Sequence, residues 1–116
     1  NTKLKSILET DGTNKVLVVD GEGSMNCALL GGNLASIASE NNWSGIIING
    51  CVRDQLEIIV ENIGVKALAA HPKKSGKNDG GEFKVKLNFA DVSISDDDFI
   101  YADEDGIVIS NDELKF

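Results

Sequence analysis

The 116-residue chain has few of the side chains that build disulfide or zinc scaffolds. It contains two cysteines and one histidine. A Cys/His zinc site needs three or four such ligands, and two cysteines do not make a disulfide framework, so the composition excludes both kinds of scaffold. We expect Cys27 and Cys51 to be core thiols in a reducing compartment, which predicts a cytoplasmic protein.

The chain is also short of positive charge and of long apolar runs. Eleven Lys and Arg residues against nineteen Asp and Glu residues give a net charge of −8. This charge repels phosphate backbones and anionic lipid, which argues against nucleic-acid and membrane-surface partners. No apolar run reaches the roughly 20 residues that span a bilayer. The remaining composition, 41% hydrophobic and 26% charged, predicts one globular domain over residues 1–116.

The first half of the chain predicts alternating strands and helices. Runs of β-branched residues predict buried strands, and apolar residues at three- and four-residue spacing predict helices. The predicted strands are Lys15–Asp20, Ile46–Ile48 and Val65–Ala70, and the predicted helices are Cys27–Asn41 and Asp54–Asn62, the second capped by Gly64. Strands that alternate with helices are typical of parallel pairing with right-handed crossovers.

The second half of the chain changes character after Pro72. A polar, glycine-rich stretch at residues 73–82 predicts a loop, and the short apolar segments that follow have Asp and Gly turns between them and no helix. The predicted strands are Phe83–Phe89, Val92–Ile94, Phe99–Tyr101 and Ile107–Ser110. The sequence therefore predicts an α/β fold with a mixed sheet, parallel in its first half and antiparallel in its second.

Several motifs that suggest chemistry are better explained by local structure. Gly21-Glu22-Gly23 follows a strand as a dinucleotide-binding loop would, but Asn26 replaces the third glycine, so we favour a plain strand-to-helix turn whose bare amides could still hold an anion. His71 lacks a neighbouring nucleophile, which favours a strand-end histidine with local hydrogen bonds. Asp96–Asp98 indicates a solvated turn, and Tyr101–Gly106 is too short for a calcium loop.

Arg53 is the only arginine among eleven basic residues, and it follows directly on an apolar strand. Because lysine cannot replace the planar fork that binds a carboxylate through two hydrogen bonds, a lone arginine here indicates carboxylate recognition. Asp54 comes next, and Glu57 lies one helical turn further on. The alternative is that Asp54 only caps the helix and Glu57 completes a capping box. Gly31–Gly32, inside a predicted helix, also requires an explanation.

Four separated motifs resemble one known family. They are Val16–Ser24, Ala28–Ala35, Asn49–Asp54 and Tyr101–Ile107. In this order they resemble the regulator of ribonuclease activity A family and its relatives, the class II 4-hydroxy-4-methyl-2-oxoglutarate aldolases, over essentially the whole chain. The enzyme motif of that family is a glycine, twenty residues, Arg-Asp, two residues and an acid. Gly32, Arg53, Asp54 and Glu57 satisfy every position.

The resemblance implies a swivelling β/β/α domain, a homotrimer or a hexamer built from it, and a site between subunits. It also implies site residues. The backbone of Gly31, Gly32, Asn33 and Leu34, together with Arg53, holds an α-keto acid, and Asp54 anchors Mg²⁺ or Mn²⁺ mostly through water, with Glu57 in support. Binding to bare amides is consistent with the two glycines, and one carboxylate with several waters suits Mg²⁺ or Mn²⁺ better than zinc.

The function that the resemblance implies is a metal-dependent lyase acting on small α-keto diacids. The reaction is cleavage of 4-hydroxy-4-methyl-2-oxoglutarate, decarboxylation of oxaloacetate, or both, with Arg53 and Asp54 as the catalytic pair. The alternative is a regulator without catalysis that binds a ribonuclease of the E type. Chains of the family begin further upstream, so we expect an N-terminal segment to be absent from this sequence. Asn33 stands where the aldolases carry an acid, which assigns proton transfer to a metal-bound water or to a neighbouring subunit.

Overall fold

A computed structural model describes residues 2–73, 87–89, 92–102 and 106–114. By its internal contacts the chain divides into two compact units, Asn1–Gly81 and Glu82–Phe116. Among the described residues, no helix is both long enough and apolar enough to cross a bilayer.

The first unit is built from a repeated strand–strand–helix order, preceded by one helix. Helix α1 spans Thr2–Leu8. The first repeat consists of β1 (Val16–Asp20), β2 (Ala28–Leu30) and α2 (Gly32–Glu40). The second consists of β3 (Gly45–Asn49), β4 (Cys51–Val52) and α3 (Gln55–Ile59). Strands β5 (Gly64–Lys66) and β6 (Ala69–Ala70) begin a third.

Successive strands of the repeat belong alternately to two parallel sheets. One sheet has the order β1-β3-β5 and the other β2-β4-β6, and every pairing within them is parallel. Only Gly50 separates β3 from β4, so the chain changes sheet there within one residue. The predicted parallel first half is confirmed, and it consists of two three-stranded sheets.

Three predicted elements have the wrong boundaries. The helix predicted over Cys27–Asn41 begins only at Gly32, because Ala28–Leu30 pairs with β4 as a strand. Gly31–Gly32 therefore stands at the start of a helix and does not interrupt one. The strand predicted over Val65–Ala70 is two strands, β5 against β3 and β6 against β4. Gly64 is accordingly the first residue of β5, and α3 ends at Ile59 with Val60 as its C-cap.

The core of this unit joins the helices to both sheets. Its buried members are Leu4, Leu8, Leu30, Ala35, Ala38, Trp43, Ile46, Ile48, Val52 and Ile58. The Trp43 indole N–H donates to the backbone oxygens of Leu8 and Thr10 at 3.2 and 3.1 Å, which ties the end of α1 to the sheet side of the core. Because this indole is buried, its polar atom needs such a partner.

The second unit contains antiparallel strands, as predicted. Strands β7 (Leu87–Phe89) and β8 (Val92–Ile94) form one pair, and β9 (Phe99–Ala102) and β10 (Ile107–Ser110) form another. Asp96–Asp98 forms the predicted turn, in which the Asp98 carboxylate accepts the Ser95 amide at 2.8 Å. Most of the predicted loop at 73–82, the start of the segment predicted from Phe83, and part of the Tyr101–Gly106 turn lie outside the described residues.

Candidate functional site

Three neighbouring strands of the second sheet end at one edge, and each leads into residues with polar groups. Gly31 follows β2, Arg53 follows β4 and His71 follows β6. The Arg53 amide donates to the Leu30 oxygen at 2.9 Å, and the His71 amide donates to the Val52 oxygen at 2.8 Å, so the ladder continues one residue past the strands. The carboxyl ends of parallel strands are where open α/β sheets bind ligands.

Asp54 connects the starts of two helices. Its backbone is left-handed at φ 59°, a conformation that aspartate adopts more readily than most residues. Its Oδ2 atom accepts the Gly32 amide at 3.1 Å and Arg53 Nη1 at 2.9 Å. The side chain makes no capping bond to its own helix α3, so the alternative that Asp54 only caps that helix is wrong. Instead, the carboxylate satisfies an orphan amide at the start of α2.

Gly31 and Gly32 leave room for the charged side chains of the β4–α3 segment. A Cβ atom on Gly31 would lie 2.9 Å from the central guanidinium carbon of Arg53, and one on Gly32 would meet the Glu57 carboxylate and lie 3.0 Å from Glu57 Cβ. Neither approach is compatible with a real Cβ at these positions unless the facing side chain moves. The two glycines are therefore needed for Arg53 and Glu57 to pack against the start of α2.

Gly31→Ala tests this packing without straining the backbone. Gly31 has φ −125° and ψ −174°, an extended conformation that alanine adopts freely, so we expect the melting temperature to change little. The added methyl must displace the guanidinium. We therefore expect turnover of the α-keto diacids that the resemblance implies to fall about tenfold or more, because a misplacement of about 1 Å at a reacting centre can lower the rate roughly a hundredfold.

Gly64→Ala is the matched control for this substitution, since among the described residues a Cβ at Gly64 would contact the Ser44 oxygen alone, at 3.8 Å. Thermal denaturation and steady-state kinetics of the two variants give the comparison. Wild-type turnover in Gly31→Ala would contradict the role given to the Gly31–Arg53 contact.

The other two predicted site residues, Asn33 and Leu34, lie on the first turn of α2. Asn33 is exposed, whereas the Leu34 side chain packs against the core, so only the backbone of Leu34 is available to a ligand. Their amides belong to the first turn of α2, where a helix supplies no acceptor. The structure thus brings Gly31, Gly32, Arg53, Asp54 and Glu57 together and places two further backbone donors beside them.

An open cleft of about 320 Å³ lies beside the Arg53–Asp54 pair. Its lining consists of Arg53, Asp54, Gln55, Ala70, His71 and Pro72. His71 is the residue that the sequence did not assign to a site. The local hydrogen bond predicted for it is confirmed, since His71 Nδ1 accepts the Lys73 amide at 3.1 Å, but the side chain also lines the cleft.

The charges of the site suit a hydrated divalent cation. The Arg53 guanidinium and the carboxylates of Asp54 and Glu57 all lie near the start of α2, and together these three side chains carry one net negative charge. Both hydrogen bonds to Asp54 fall on Oδ2, so in the described part of the chain its Oδ1 is left for a ligand. No cluster of three His, Cys, Asp or Glu residues occurs among the described residues. One carboxylate with waters and substrate oxygens fits Mg²⁺ or Mn²⁺ and does not fit zinc.

The Gly21–Gly23 turn is not an anion site in this structure. The amides of Gly21 and Gly23 donate to the Asn49 oxygen at 3.0 and 3.1 Å, and the Glu22 amide donates to the Asp20 carboxylate at 2.8 Å. The expected helix does not follow the turn either, because the next element is β2. With its amides satisfied internally, the turn serves to close the end of the first sheet.

Comparison with known proteins gives consistent matches along the chain. A family model described as RraA-like, Aldolase/RraA, matches residues 1–109. A protein of Deinococcus radiodurans named "Putative 4-hydroxy-4-methyl-2-oxoglutarate aldolase" is 51% identical over 109 residues, which cover 94% of this chain and 68% of that protein.

Two solved structures are close to this fold. The structure described as the RNA-processing inhibitor RraA from Thermus thermophilis matches with a TM-score of 0.96 at 43% sequence identity, covering 99% of this chain and 70% of that one. A structure from Geobacillus kaustophilus, described as S-adenosylmethionine: 2-dimethylmenaquinone methyltransferase, matches with a TM-score of 0.94 at 45% identity, covering 98% of this chain and 71% of that one.

Proposed function

Because this chain belongs to the RraA-like family, we propose that it is a metal-dependent lyase that acts on small α-keto diacids. The substrates are 4-hydroxy-4-methyl-2-oxoglutarate, oxaloacetate or both. The observation that carries the proposal is the Arg53–Asp54 pair, which is held at the sheet edge by the Gly32 amide and packs against Gly31. The Deinococcus relative is named "Putative 4-hydroxy-4-methyl-2-oxoglutarate aldolase", and the Arg53–Asp54 pair is the chemical reason to propose that activity for this chain.

Arg53 is the group that binds the substrate carboxylate. Its side chain is 27% exposed, and Nη1 is bonded to Asp54 at 2.9 Å, which fixes the orientation of the guanidinium plane. A guanidinium has five N–H donors, so others remain for a carboxylate and for the neighbouring keto oxygen. Donors fixed in advance stabilise the negative charge that develops on that oxygen more than donors that must reorient.

Asp54 is the residue that holds the cation in this proposal, through the oxygen that is free of Gly32 and Arg53. A bound Mg²⁺ or Mn²⁺ would supply positive charge for the keto group and offset the negative charge of the two carboxylates. Glu57, which lies in the first turn of α3 and packs against Gly32, is the second carboxylate of this charge balance. The Asn33 and Leu34 amides are the backbone donors left for the substrate.

The two reactions make different demands on these residues. Oxaloacetate breaks its C3–C4 bond, releases CO₂ and leaves a pyruvate enolate, so the site must stabilise charge but needs no base for this step. 4-Hydroxy-4-methyl-2-oxoglutarate breaks its C3–C4 bond only as the C4 hydroxyl loses its proton, giving pyruvate and a pyruvate enolate. Asn33 cannot accept that proton, so this cleavage requires a further base, whereas loss of CO₂ from oxaloacetate requires none.

Pyruvate release tests the proposal. We expect the protein at saturating Mg²⁺ to release pyruvate from oxaloacetate, and from 4-hydroxy-4-methyl-2-oxoglutarate where a neighbouring subunit supplies the base. Because oxaloacetate loses CO₂ slowly without any enzyme, a protein-free blank with the same Mg²⁺ is the control. Rates equal to the blank for both diacids would overturn the lyase assignment.

A homotrimeric assembly is part of the proposal, and α3 supports it. Leu56, Ile59 and Val60 are 84%, 78% and 78% exposed, although they are large apolar side chains. They follow directly on Arg53–Asp54, so a second copy that covers them would also close one side of the site. Clustered exposed apolar side chains of this kind mark protein–protein contacts, and closed cyclic symmetry is the usual form of a homo-oligomer.

Leu56→Glu tests the assembly. An acid placed in an apolar interface loses its hydration without gaining a partner, so we expect the oligomer to dissociate at micromolar concentration in sedimentation experiments. Leu56→Met is the matched control, because both replacements are good helix formers and only one carries charge. An oligomer that survives Leu56→Glu, or a wild-type protein that is monomeric, would contradict an interface on α3.

A second candidate function is binding to a ribonuclease without catalysis. The specific support is the similarity to a structure described as an RNA-processing inhibitor, at 43% identity, together with a net charge of −8 that suits a basic protein surface. An assay of ribonuclease E cleavage with and without this protein separates the two functions. Inhibition by a protein that releases no pyruvate would favour the regulator.

We do not propose the methyltransferase activity named for the Geobacillus structure. The segment of this chain that most resembles a nucleotide-binding loop is the Gly21–Gly23 turn, and its amides are bonded internally.

The cysteines support a reducing compartment such as the cytoplasm. Both are free thiols, Cys51 buried and Cys27 partly buried.

A further inference from the structure

His71 lies level with Arg53 at the edge of the second sheet. Strands β4 and β6 pair with Val52 opposite Ala70, and the His71 amide extends this ladder to the Val52 oxygen at 2.8 Å. Neighbouring strands lie about 4.8 Å apart, so the residues that follow Val52 and Ala70 start close together. His71 and Arg53 accordingly line the same cleft.

The imidazole of His71 is oriented by one defined hydrogen bond. Its Nδ1 accepts the Lys73 amide at 3.1 Å. A neutral imidazole that accepts through Nδ1 carries its proton on Nε2, so the second nitrogen is a donor. In the described part of the chain no acceptor is bonded to Nε2, which leaves that N–H for a molecule in the cleft. A donor nitrogen can bind an anion but cannot remove a proton.

We propose that His71 is a specificity residue whose Nε2–H binds the second carboxylate of a keto diacid, while Arg53 binds the carboxylate next to the keto group. This inference rests on the proposed lyase function and adds the origin of its preference for diacids over keto monoacids. The geometry that supports it is a pair of donors on adjacent strands and a substrate that carries an anionic group at each end. A keto monoacid such as pyruvate has nothing for Nε2 to bind.

Two replacements separate the two nitrogens of the ring. In His71→Asn the side-chain oxygen takes the place of Nδ1 and keeps the Lys73 contact, but nothing reaches the position of Nε2. In His71→Gln the amide N–H₂ reaches the Nε2 position and keeps the donor. If His71 serves only to fix the local backbone through Lys73, Asn is the benign replacement. If Nε2 binds substrate, Gln is the benign replacement.

The readout compares diacids with pyruvate. Both proposed reactions release pyruvate, so pyruvate competes with the diacids for the Arg53 end of the site, and its inhibition constant measures the binding of a keto monoacid. For His71→Asn we expect KM for oxaloacetate and for 4-hydroxy-4-methyl-2-oxoglutarate to rise about tenfold or more, because a hydrogen bond to a charged group is lost. The loss falls on KM. For 4-hydroxy-4-methyl-2-oxoglutarate we expect kcat to stay unchanged, because the distal carboxylate keeps its charge throughout the reaction. For oxaloacetate kcat does not fall either, because the distal carboxylate is the group that leaves as CO₂.

The preference for diacids over pyruvate should therefore fall about tenfold in His71→Asn and remain within about threefold of wild type in His71→Gln. An unchanged preference in His71→Asn overturns the inference, and so does a greater loss in His71→Gln than in His71→Asn. These outcomes require a wild type that turns over diacids. A wild type that does not turn them over overturns the proposed function itself, and the inference with it.

Discussion

Arg53→Lys is expected to lower kcat/KM for oxaloacetate by about a hundredfold or more, which corresponds to about 3 to 4 kcal/mol of transition-state stabilisation. Lysine keeps the charge but is a point donor, so it cannot bind a carboxylate and a developing oxyanion with one rigid plane. It also cannot reproduce the planar packing of the guanidinium on Gly31. Steady-state pyruvate release at saturating Mg²⁺ measures the effect.

The control for Arg53→Lys is the assembled, folded state of the variant. The wild-type guanidinium is partly exposed and its described ion pair is with the adjacent residue, so its loss should leave the melting temperature and the sedimentation profile nearly unchanged. Equal rates in the two proteins would remove Arg53 from the chemistry. Together with background turnover in both, equal rates would leave the ribonuclease regulator as the better assignment.

Asp54→Asn is expected to remove the response to Mg²⁺ and Mn²⁺ while the protein stays folded. Asparagine tolerates the left-handed backbone at this position, and its amide oxygen can still accept the Gly32 amide, so the contact between α3 and α2 survives. The negative charge that a hard cation requires is lost. Turnover titrated with each metal, alongside thermal denaturation, checks both halves of the prediction.

Glu57→Gln is the matched charge control for Asp54→Asn, because both replacements remove one carboxylate from the same helix start. We expect a clearly smaller change in metal dependence for Glu57→Gln, since the proposal places the cation on Asp54. If the two variants lose metal dependence equally, the cation is shared between the carboxylates. If Asp54→Asn unfolds and metal-dependent activity persists in the folded fraction, Asp54 is structural only.

The parts of the site that the sequence predicts are those that depend on residue type and spacing. A lone arginine after an apolar strand indicates anion recognition. The twenty residues between Gly32 and Arg53 correspond to one unit of the strand–strand–helix repeat. The predicted parallel pairing follows from the alternation of strand-like apolar runs and helical spacing. These signals are local, so the sequence alone carries them.

The errors in the fold have more than one origin. Val65–Ala70 is apolar apart from Lys66, and hydrophobic periodicity does not reveal that β5 and β6, which are two residues apart, belong to different sheets. Ala28–Leu30 was assigned to a helix because three apolar residues before a helical pattern suit either structure. The helix α1 was not predicted, although Leu4 and Leu8 have helical spacing and are buried.

Two features of the site depend on long-range pairing and were therefore missed. The carboxylate of Asp54 bonds to Gly32, 22 residues away, and not to its own helix, so local capping rules assign it the wrong partner. His71 reaches the cleft only because β6 pairs with β4 in one particular register. The sequence predicts local hydrogen bonds for His71, and its bond to Lys73 is one, but such a bond does not indicate that the side chain lines a cleft.

The central claim is that Arg53 and Asp54 form a metal-dependent lyase site, and one measurement tests it most directly. Pyruvate release from oxaloacetate is followed before chelation, after an excess of chelator, and after Mg²⁺ or Mn²⁺ is restored, each against a protein-free blank of the same composition. We expect pyruvate release above the blank, loss of that release on chelation, and its return when the metal is restored. Turnover that persists unchanged in the chelator, or never exceeds the blank at any metal concentration, would contradict it.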